Sequence, residues 1–499
     1  MKRCRSKYLI GLLALAMSAL TACHNAEGSY QSQLETSQTL YSNNIRKLMR
    51  SESPLRNPVI VVHGLVGSKL LNQDNGRVLW GEFSPRMFED DFLTELARPI
   101  SPDLPLNRLK DNVKAIEMMR TAQVDILNIS FELPGYDGLL DILRRGGYVF
   151  EGDVMPEDKH YYSMFTFCYD WRSDIPEIAA ELHQFILTKR RYLQKKYEEL
   201  YGIKDYDVQF DIIGHSMGGL VSRYYLRFGD QPMTENDPPR LDWRGSRYVD
   251  KLIMIGTPNG GYLDTCLELI NGLKIVPVAP LIPPVFIGTF PTFYQMMPRT
   301  AAGVVIDEKG RKVDMFDPEV WIANQWGLAD PGQDKYLEKL MPKVKSPKRR
   351  RQIALEHLRK SLSRARQFVE IMAVESIPPE DVELYIYAGD AIPTNVLAQV
   401  KNKKIKVIAQ DAGDGKVSCS SVRFDQSLTD DSPFIWSPEQ WDAVYYVGAA
   451  HMGITKSRMM GDNLIGNLLI GSSRKNHHRG IRLKKQLDEF LVKVKSSNP

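Results

Sequence analysis

Five short runs of mainly apolar residues stand out along the chain, and each predicts a strand. Pro58-Val59-Ile60-Val61-Val62 is strongly β-favouring, and Val208-Gln209-Phe210-Asp211-Ile212-Ile213 alternates apolar with polar positions. Val249–Ile255, Glu383–Gly389 and Ala443–Val447 read the same way. A different period follows the second run. From Gly219 to Leu226 the apolar positions fall at helical spacing, so a helix follows that strand after a very short turn. Gly135-Tyr136-Asp137-Gly138-Leu139 leads a short helix. Ile353, Leu355, Leu358, Leu362 and Phe368 recur among basic residues from Lys343 to Arg366 and predict a basic amphipathic helix. Ile275 to Met297 is dense in Pro, Phe, Ile, Val and Met but keeps neither period, which predicts an irregular apolar wall.

The turn between the 208–213 strand and its helix carries the chemistry. Gly214-His215-Ser216-Met217-Gly218 is a G-x-S-x-G box in strand–turn–helix context, which holds a serine in a strained, exposed position. Glycines flank it because a Cβ there would strike the neighbouring strand or helix. A serine nucleophile needs a base, and the base needs an orienting acid. With the chain order Ser, Asp or Glu, His, the histidines after Ser216 are His357, His451, His477 and His478. His357 lies in the basic helical run, and His477 and His478 in a polar tail. His451 follows the 443–447 strand and Gly448-Ala449-Ala450, where a base should hang. Two acids fit by position: Asp414, in a glycine-flanked loop before an expected short strand, and Asp390, at the end of the 383–389 strand. Either would also serve as an ordinary turn residue.

A tetrahedral oxyanion needs two fixed backbone N–H donors. Met217, directly after the serine, is one candidate. The other is Leu65, in the loop His63-Gly64-Leu65-Val66-Gly67-Ser68 after the first strand, where Gly64 lets the backbone approach a ligand. His63 and His215 precede glycines in tight turns and read as bracing residues, not bases.

Four blocks together resemble the lecithin:cholesterol acyltransferase-like branch of the α/β-hydrolases. They are Pro58 to Leu70; Phe165-Thr166-Phe167-Cys168-Tyr169-Asp170-Trp171-Arg172; the Ser216 box with Arg223-Tyr224-Tyr225 behind it; and the loops Gly413-Asp414-Gly415-Lys416-Val417 and Gly448–His451. The resemblance implies an α/β-hydrolase fold, a mostly parallel central sheet flanked by helices with inserted cap and lid segments. It favours Asp414 over Asp390 as the acid. It implies an acyl-enzyme on Ser216, hence a lipase, a phospholipase A or an O-acyltransferase acting on lipid esters. Two positions depart from the family pattern: His63 stands where proline is frequent, and Lys416 where threonine is usual. No counterpart of the family's lid cysteine pair is visible. An esterase, thioesterase or amidase for small soluble substrates is the alternative, and a non-catalytic lipid-binding lipoprotein a third reading. For the 275–297 wall, plain packing and an acyl-chain groove are both open.

The N-terminus sets the expected compartment. Lys2, Arg3, Arg5 and Lys7 precede a short apolar run from Tyr8 to Ala19, and Leu20-Thr21-Ala22-Cys23 looks like a bacterial lipobox. That implies a lipidated Cys23 in the bacterial cell envelope, with His24 rather than aspartate pointing to the outer membrane. Residues 1–22 are then a signal peptide, 23–57 the lipidated N-terminus and a polar tether, and 58–261 the first part of the core with a cap at about 71–160. Residues 262–381 form a lid insertion and 382–499 the second part of the core. Cys168, Cys266 and Cys419 remain, an odd number that allows at most one disulfide. No C-x-x-C, H-E-x-x-H, Walker or G-x-G-x-x-G motif occurs, so no metal and no cofactor is expected. The net charge of +4 over 499 residues argues against a nucleic-acid partner. The expected partners are an acyl-ester substrate and a membrane surface, reached through Cys23 and, on one reading, through the basic helix. On the other reading that helix is a solvated face. Nothing in the pattern speaks to oligomeric state.

Overall fold

The computed structural model describes residues 48–82, 89–126, 129–234, 237–274, 280–427 and 435–469. The expected signal peptide, Cys23, His477 and His478 lie outside them, as do most of the tether and residues 275–279 of the apolar wall.

The predicted runs form the centre of the fold. Strands β1 (Val59–Val62), β2 (Met164–Phe167), β3 (Phe210–His215), β4 (Val249–Ile255), β5 (Glu383–Gly389) and β6 (Ala443–Val447) make one six-stranded sheet. Its order is β6-β5-β4-β3-β1-β2 and every pairing is parallel. β1, β3 and β4 are buried along their whole length, which is why they read as almost unbroken apolar runs.

Alternate residues of β1 feed two cores. Ile60 and Val62 pack on one face with helices α2 (Ile175–Tyr201) and α3 (Met217–Phe228). Val59 and Val61 pack on the other with α1 (Asp137–Arg145) and α6 (Arg458–Leu469). The first face also receives α4 (Leu263–Asn271) and α5 (Pro347–Met372) from the region expected to be a lid.

Between β1 and β2 the chain adds a three-stranded antiparallel sheet, built from Ser68–Asn72, Arg77–Trp80 and Val113–Met118, and a hairpin, Thr121–Ile126 with Ile129–Pro134. Between β5 and Asp414 a long hairpin, Ile392–Lys401 with Lys404–Gly413, leaves the central sheet and pairs with Val305–Ile306. The stretch Asp411-Ala412-Gly413, expected as loop, is thus the end of a strand. The expected strand after Asp414 is instead a helix, Cys419–Arg423, because Ser418 caps it and accepts from the Ser421 N–H at 3.3 Å.

The apolar wall is core. Every residue from Pro284 to Pro298 is buried, in two short helices, Pro284–Ile287 and Pro291–Gln295. Plain packing accounts for it. The basic helix forms as α5, with Ser346 as its cap, but it is not a simple solvated face. Arg350 donates to Val344 O at 2.8 Å, Arg351 to Leu328 O at 2.7 Å, Lys360 to Pro102 O at 2.6 Å and Arg364 to Asp174 at 2.5 Å. Lys343, Lys345, Lys348 and Arg349 at its start are exposed. Cys168, Cys266 and Cys419 are free thiols.

Candidate active site

Ser216 sits between β3 and α3 with φ 53°, ψ −125°, a conformation unusual for a residue with a side chain. Its backbone is held by Ser216 N–H donating to Ile255 O at 2.8 Å and by Gly219 N–H donating to Ser216 O at 3.0 Å. The glycines are needed for space. A Cβ on Gly218 would lie 2.3 Å from the carbonyl oxygens of Val62 and His63, and one on Gly219 1.9 Å from Thr257 Oγ1.

Two loops from the far end of the sequence complete the group. His451 Nε2 is 2.9 Å from Ser216 Oγ, and His451 Nδ1 is 2.7 Å from Asp414 Oδ2. Asp414 Oδ1 accepts from the N–H groups of Val417 at 2.7 Å and Lys416 at 2.9 Å, and its backbone oxygen accepts from His451 N–H at 2.9 Å. Burial alone would raise the Asp414 pKa. The facing His451 and the two N–H donors outweigh it and hold the carboxyl below its ordinary value. Asp390 is exposed at the end of β5 and takes no part. Gly256, with φ +56°, passes close behind: a Cβ there would lie 3.2 Å from both Asp414 Oδ2 and His451. No motif marked Gly256 in advance.

The candidate oxyanion donors lie beside Ser216. Met217 opens α3, where the first N–H groups have no acceptor within the helix. Gly64 presses on the nucleophile: a Cβ on it would stand 2.8 Å from Ser216 Cβ. Gly67 N–H donates to Gly64 O at 3.2 Å, with Val66 at φ 58°. Leu65 is therefore the second residue of a turn, and its N–H is not used by the turn's own bond.

His63 and His215 brace the site, as expected. Burial lowers the pKa of His63 to about 4 and that of His215 to about 3, so both are neutral at pH 7. His63 stacks on Tyr169 with ring centroids 4.0 Å apart, and the Tyr169 hydroxyl donates to His63 O. His215 belongs to a relay not foreseen from the pattern. Gly64 N–H donates to Tyr136 Oη at 2.7 Å, Tyr136 Oη lies 2.9 Å from His215 Nδ1, and His215 Nε2 lies 3.2 Å from His451 O. Having accepted one bond, the Tyr136 hydroxyl donates to Nδ1, which leaves the His215 proton on Nε2 to meet the His451 carbonyl. One buried chain thus joins the Gly64 loop to the His451 loop.

The Tyr169–Arg172 block is structural. Arg172 is fully buried and grips Asp170 at 2.7 Å and Asp111 at 3.1 Å, while Trp171 Nε1 donates to Ser68 O at 3.3 Å. Lys416, one of the departures from the family pattern, bonds Glu268 at 3.1 Å and ties the Asp414 loop to α4. Among the described residues no cluster could hold a metal ion, and no helix is long and apolar enough to cross a membrane.

Sheet order and site define an α/β-hydrolase fold in which a serine, a histidine and an aspartate meet at the C-terminal ends of parallel strands. The sequence model of the lecithin:cholesterol acyltransferase family matches residues 158–319, which include the Tyr169–Arg172 block and Ser216. A chain in the crystal structure of the Tle4–Tli4 complex shares the fold, with a TM-score of 0.51, 12% identity, and coverage of 83% of this chain and 98% of that one. The mature lipase BlEst2 of Bacillus licheniformis (TM-score 0.31, 12% identity, covering 84% and 94%) and EstA of Clostridium botulinum (0.33, 13%, covering 85% and 90%) are looser likenesses. No curated protein matches.

Proposed function

We propose that this protein is a serine-dependent enzyme that cleaves or transfers the acyl group of lipid esters. The observation that carries the reading is the unbroken chain Asp414–His451–Ser216, with links of 2.7 and 2.9 Å at a strained strand–helix turn. Ser216 Oγ attacks the ester carbonyl carbon while His451 Nε2 takes its proton. Asp414 holds the imidazole with Nδ1–H toward the carboxylate and stabilises the imidazolium that forms. The Leu65 and Met217 N–H groups receive the oxyanion. The imidazolium returns its proton to the departing alkoxide, leaving an acyl-serine. Water then gives a fatty acid, or an alcohol gives a new ester, by the same proton transfers in reverse order.

The family match over residues 158–319 supports lipid esters as the substrate class. One observation favours the second reading, short soluble esters: the densest apolar segment, 284–298, is buried core and serves packing.

One experiment tests both. The protein is incubated with mixed phospholipids, with and without a long-chain alcohol, beside short soluble esters, and every acyl product is identified. A fluorophosphonate is added in parallel. Labelling at Ser216, and loss of all turnover in Ser216→Ala by up to roughly 10^6-fold, is expected. Labelling elsewhere would sink the nucleophile, and turnover of short esters alone would replace the lipid reading with the second.

A further inference from the structure

Lys416 touches the triad's acid with its main chain and a separate element of the fold with its side chain. Its backbone N–H donates to Asp414 Oδ1 at 2.9 Å, so it is one of the two residues that hold this carboxylate from behind. Its Nζ lies 3.1 Å from Glu268 Oε1 and 3.9 Å from Asp264 Oδ2, both on α4 in the insertion after β4. Among the described residues no other cation pairs with either carboxylate.

The face of α4 calls for a cation at this place. Asp264 and Glu268 are one helical turn apart on the same face, and two like charges so placed repel each other. Their side chains are only 19% and 13% exposed. Their other oxygens are already engaged: Tyr262 Oη donates to Glu268 Oε2 at 3.2 Å and Asn395 Nδ2 to Asp264 Oδ1 at 2.6 Å. Burial raises the Glu268 pKa, and the Lys416 charge is the strongest influence against it. The helix itself is fixed, with Leu263, Cys266 and Leu269 in the core and Thr265 Oγ1 donating to Phe293 O at 2.9 Å. The acid loop has a second tie beside the first. Gly415 N–H donates to Thr394 Oγ1 at 2.9 Å, next to Asn395 in the hairpin. Helix, hairpin and acid loop therefore meet around Lys416.

We propose that Lys416 is a positioning residue for the Asp414–His451 pair, and that its charge pair with Glu268 and Asp264 makes the insertion part of the catalytic unit. The inference rests on the serine-hydrolase reading and adds to it a residue that acts through Asp414 alone. The Lys416 side chain is 47% exposed, and such a pair adds little to stability. Its effect is geometric. Glu268 fixes the far end of the lysine, and the lysine fixes the N–H that orients Asp414 Oδ1. Once that N–H is released, the carboxylate loses one of its two backbone donors and His451 loses a fixed partner. Displacements of about 1 Å in such a constellation cost around 10²-fold in rate.

The test is a charge exchange. Lys416→Glu, Glu268→Lys and the variant carrying both are compared with the parent by kinetics on a soluble ester and by thermal unfolding. Proton NMR of His451 Nδ1–H is recorded beside them, since that proton resonates far downfield while it is shared with a carboxylate. Each single variant loses at least about tenfold in kcat with KM within about twofold, and its downfield resonance moves or broadens. The double variant restores the pair with its signs exchanged, and it regains the parent resonance and kcat to within about threefold. A lowered Tm with kcat and resonance unchanged marks a role in the fold alone and overturns the proposal. A double variant as impaired as the worse single one overturns it too. If a single variant does not fold, Lys416→Gln removes the charge without reversing it. A loss of about threefold or more in kcat with a shifted resonance is then expected, and parent values for both refute the role. A parent that turns over no ester refutes the proposed activity instead, while the resonance still decides whether Lys416 positions Asp414.

Discussion

Tyr136→Phe removes one oxygen and cuts the relay between the two loops that meet at Ser216. The hydroxyl accepts from Gly64 N–H at 2.7 Å and bonds His215 Nδ1 at 2.9 Å, and both partners are buried. Phenylalanine fills the same space but leaves a backbone donor and a ring nitrogen unpaired. At about 1–3 kcal/mol for each unsatisfied group, the variant loses on the order of 2–5 kcal/mol of stability. That is a large part of the roughly 5–15 kcal/mol a domain holds, so the protein remains folded only with a lower Tm. The kinetic effect comes from position. Gly64 abuts Ser216 and carries Leu65 with it, and a shift of about 1 Å in such a loop costs around 10²-fold in rate. The hydroxyl reaches neither Ser216 Oγ nor the leaving group, so kcat falls about 10²-fold while KM stays within about twofold. Steady-state kinetics on a soluble ester well below the variant's Tm, with thermal unfolding beside it, separates the two effects. A variant with lowered Tm and unchanged kcat would show that Tyr136 only supports the fold, and the relay would then have no part in positioning the donors.

Three further outcomes follow. Asp414→Asn lowers kcat by about 10⁴-fold, because the wrong His451 tautomer is then held, whereas the exposed Asp390→Asn leaves it within about twofold; kinetics on a soluble ester checks the order, and the reverse order refutes the acid assignment. His357 is buried in α5 with both nitrogens unpartnered among the described residues, and burial takes its pKa from 6.5 down to about 3. Its stability contribution is fully present above the unfolded pKa of 6.5 and is lost as pH falls through 6.5 toward 3, about 2 kcal/mol by pH 5. In urea titrations His357→Leu should lose that much less between pH 7 and 5, and parallel curves for parent and variant would refute the neutral buried state. We also propose that Cys23 is the lipid anchor, so Cys23→Ser releases the protein from membranes or blocks its processing, and a processed, non-acylated variant that still sediments with membranes excludes the anchor.

The sheet was legible because its central strands are buried on both faces and so read as compact apolar runs; β1 and β3–β6 all form within about two residues of the predicted runs. The serine was legible because strand, glycines and helix each needed the other. Position alone did not separate the two acids, because Asp414 and Asp390 both follow strands beside glycine; the family resemblance favoured Asp414, and it is Asp414 that the fold brings to His451. The hairpin Ile392–Gly413 is only weakly encoded at its turn. Asn402 and Lys403 adopt φ 50° and 62°, the two positive values of a tight hairpin, but a lysine at the second place is a weak signal where glycine is usual. Tyr136 was missed for a different reason. Its role depends on a distance to residues 72 and 79 positions away, and no local period encodes that.

The basic helix shows how a surface-looking pattern becomes part of the site's frame. Arg364, within the charge run of α5, bonds the buried Asp174 directly before α2, and Gln295 Nε2 donates to the same carboxylate at 2.5 Å. Thr292 Oγ1 donates to Trp171 O at 2.9 Å, and Trp171 Nε1 in turn reaches Ser68 O in the stretch after β1. Tyr169, two residues before Trp171, holds His63 by stacking and by its hydroxyl. The insertion after β4 is therefore joined through residues 169–174 to the loop that presents Leu65. A lid attached only to the acyl chain would matter in proportion to chain length, since each buried CH₂ contributes about 0.8 kcal/mol. An insertion tied to the loop proposed to hold the oxyanion would matter to every ester, short ones included. The buried Arg364–Asp174 pair belongs to the second kind. Breaking such a pair leaves an uncompensated charge at a cost of about 3–5 kcal/mol, and here that charge would sit in the same buried block that holds His63 and Ser68.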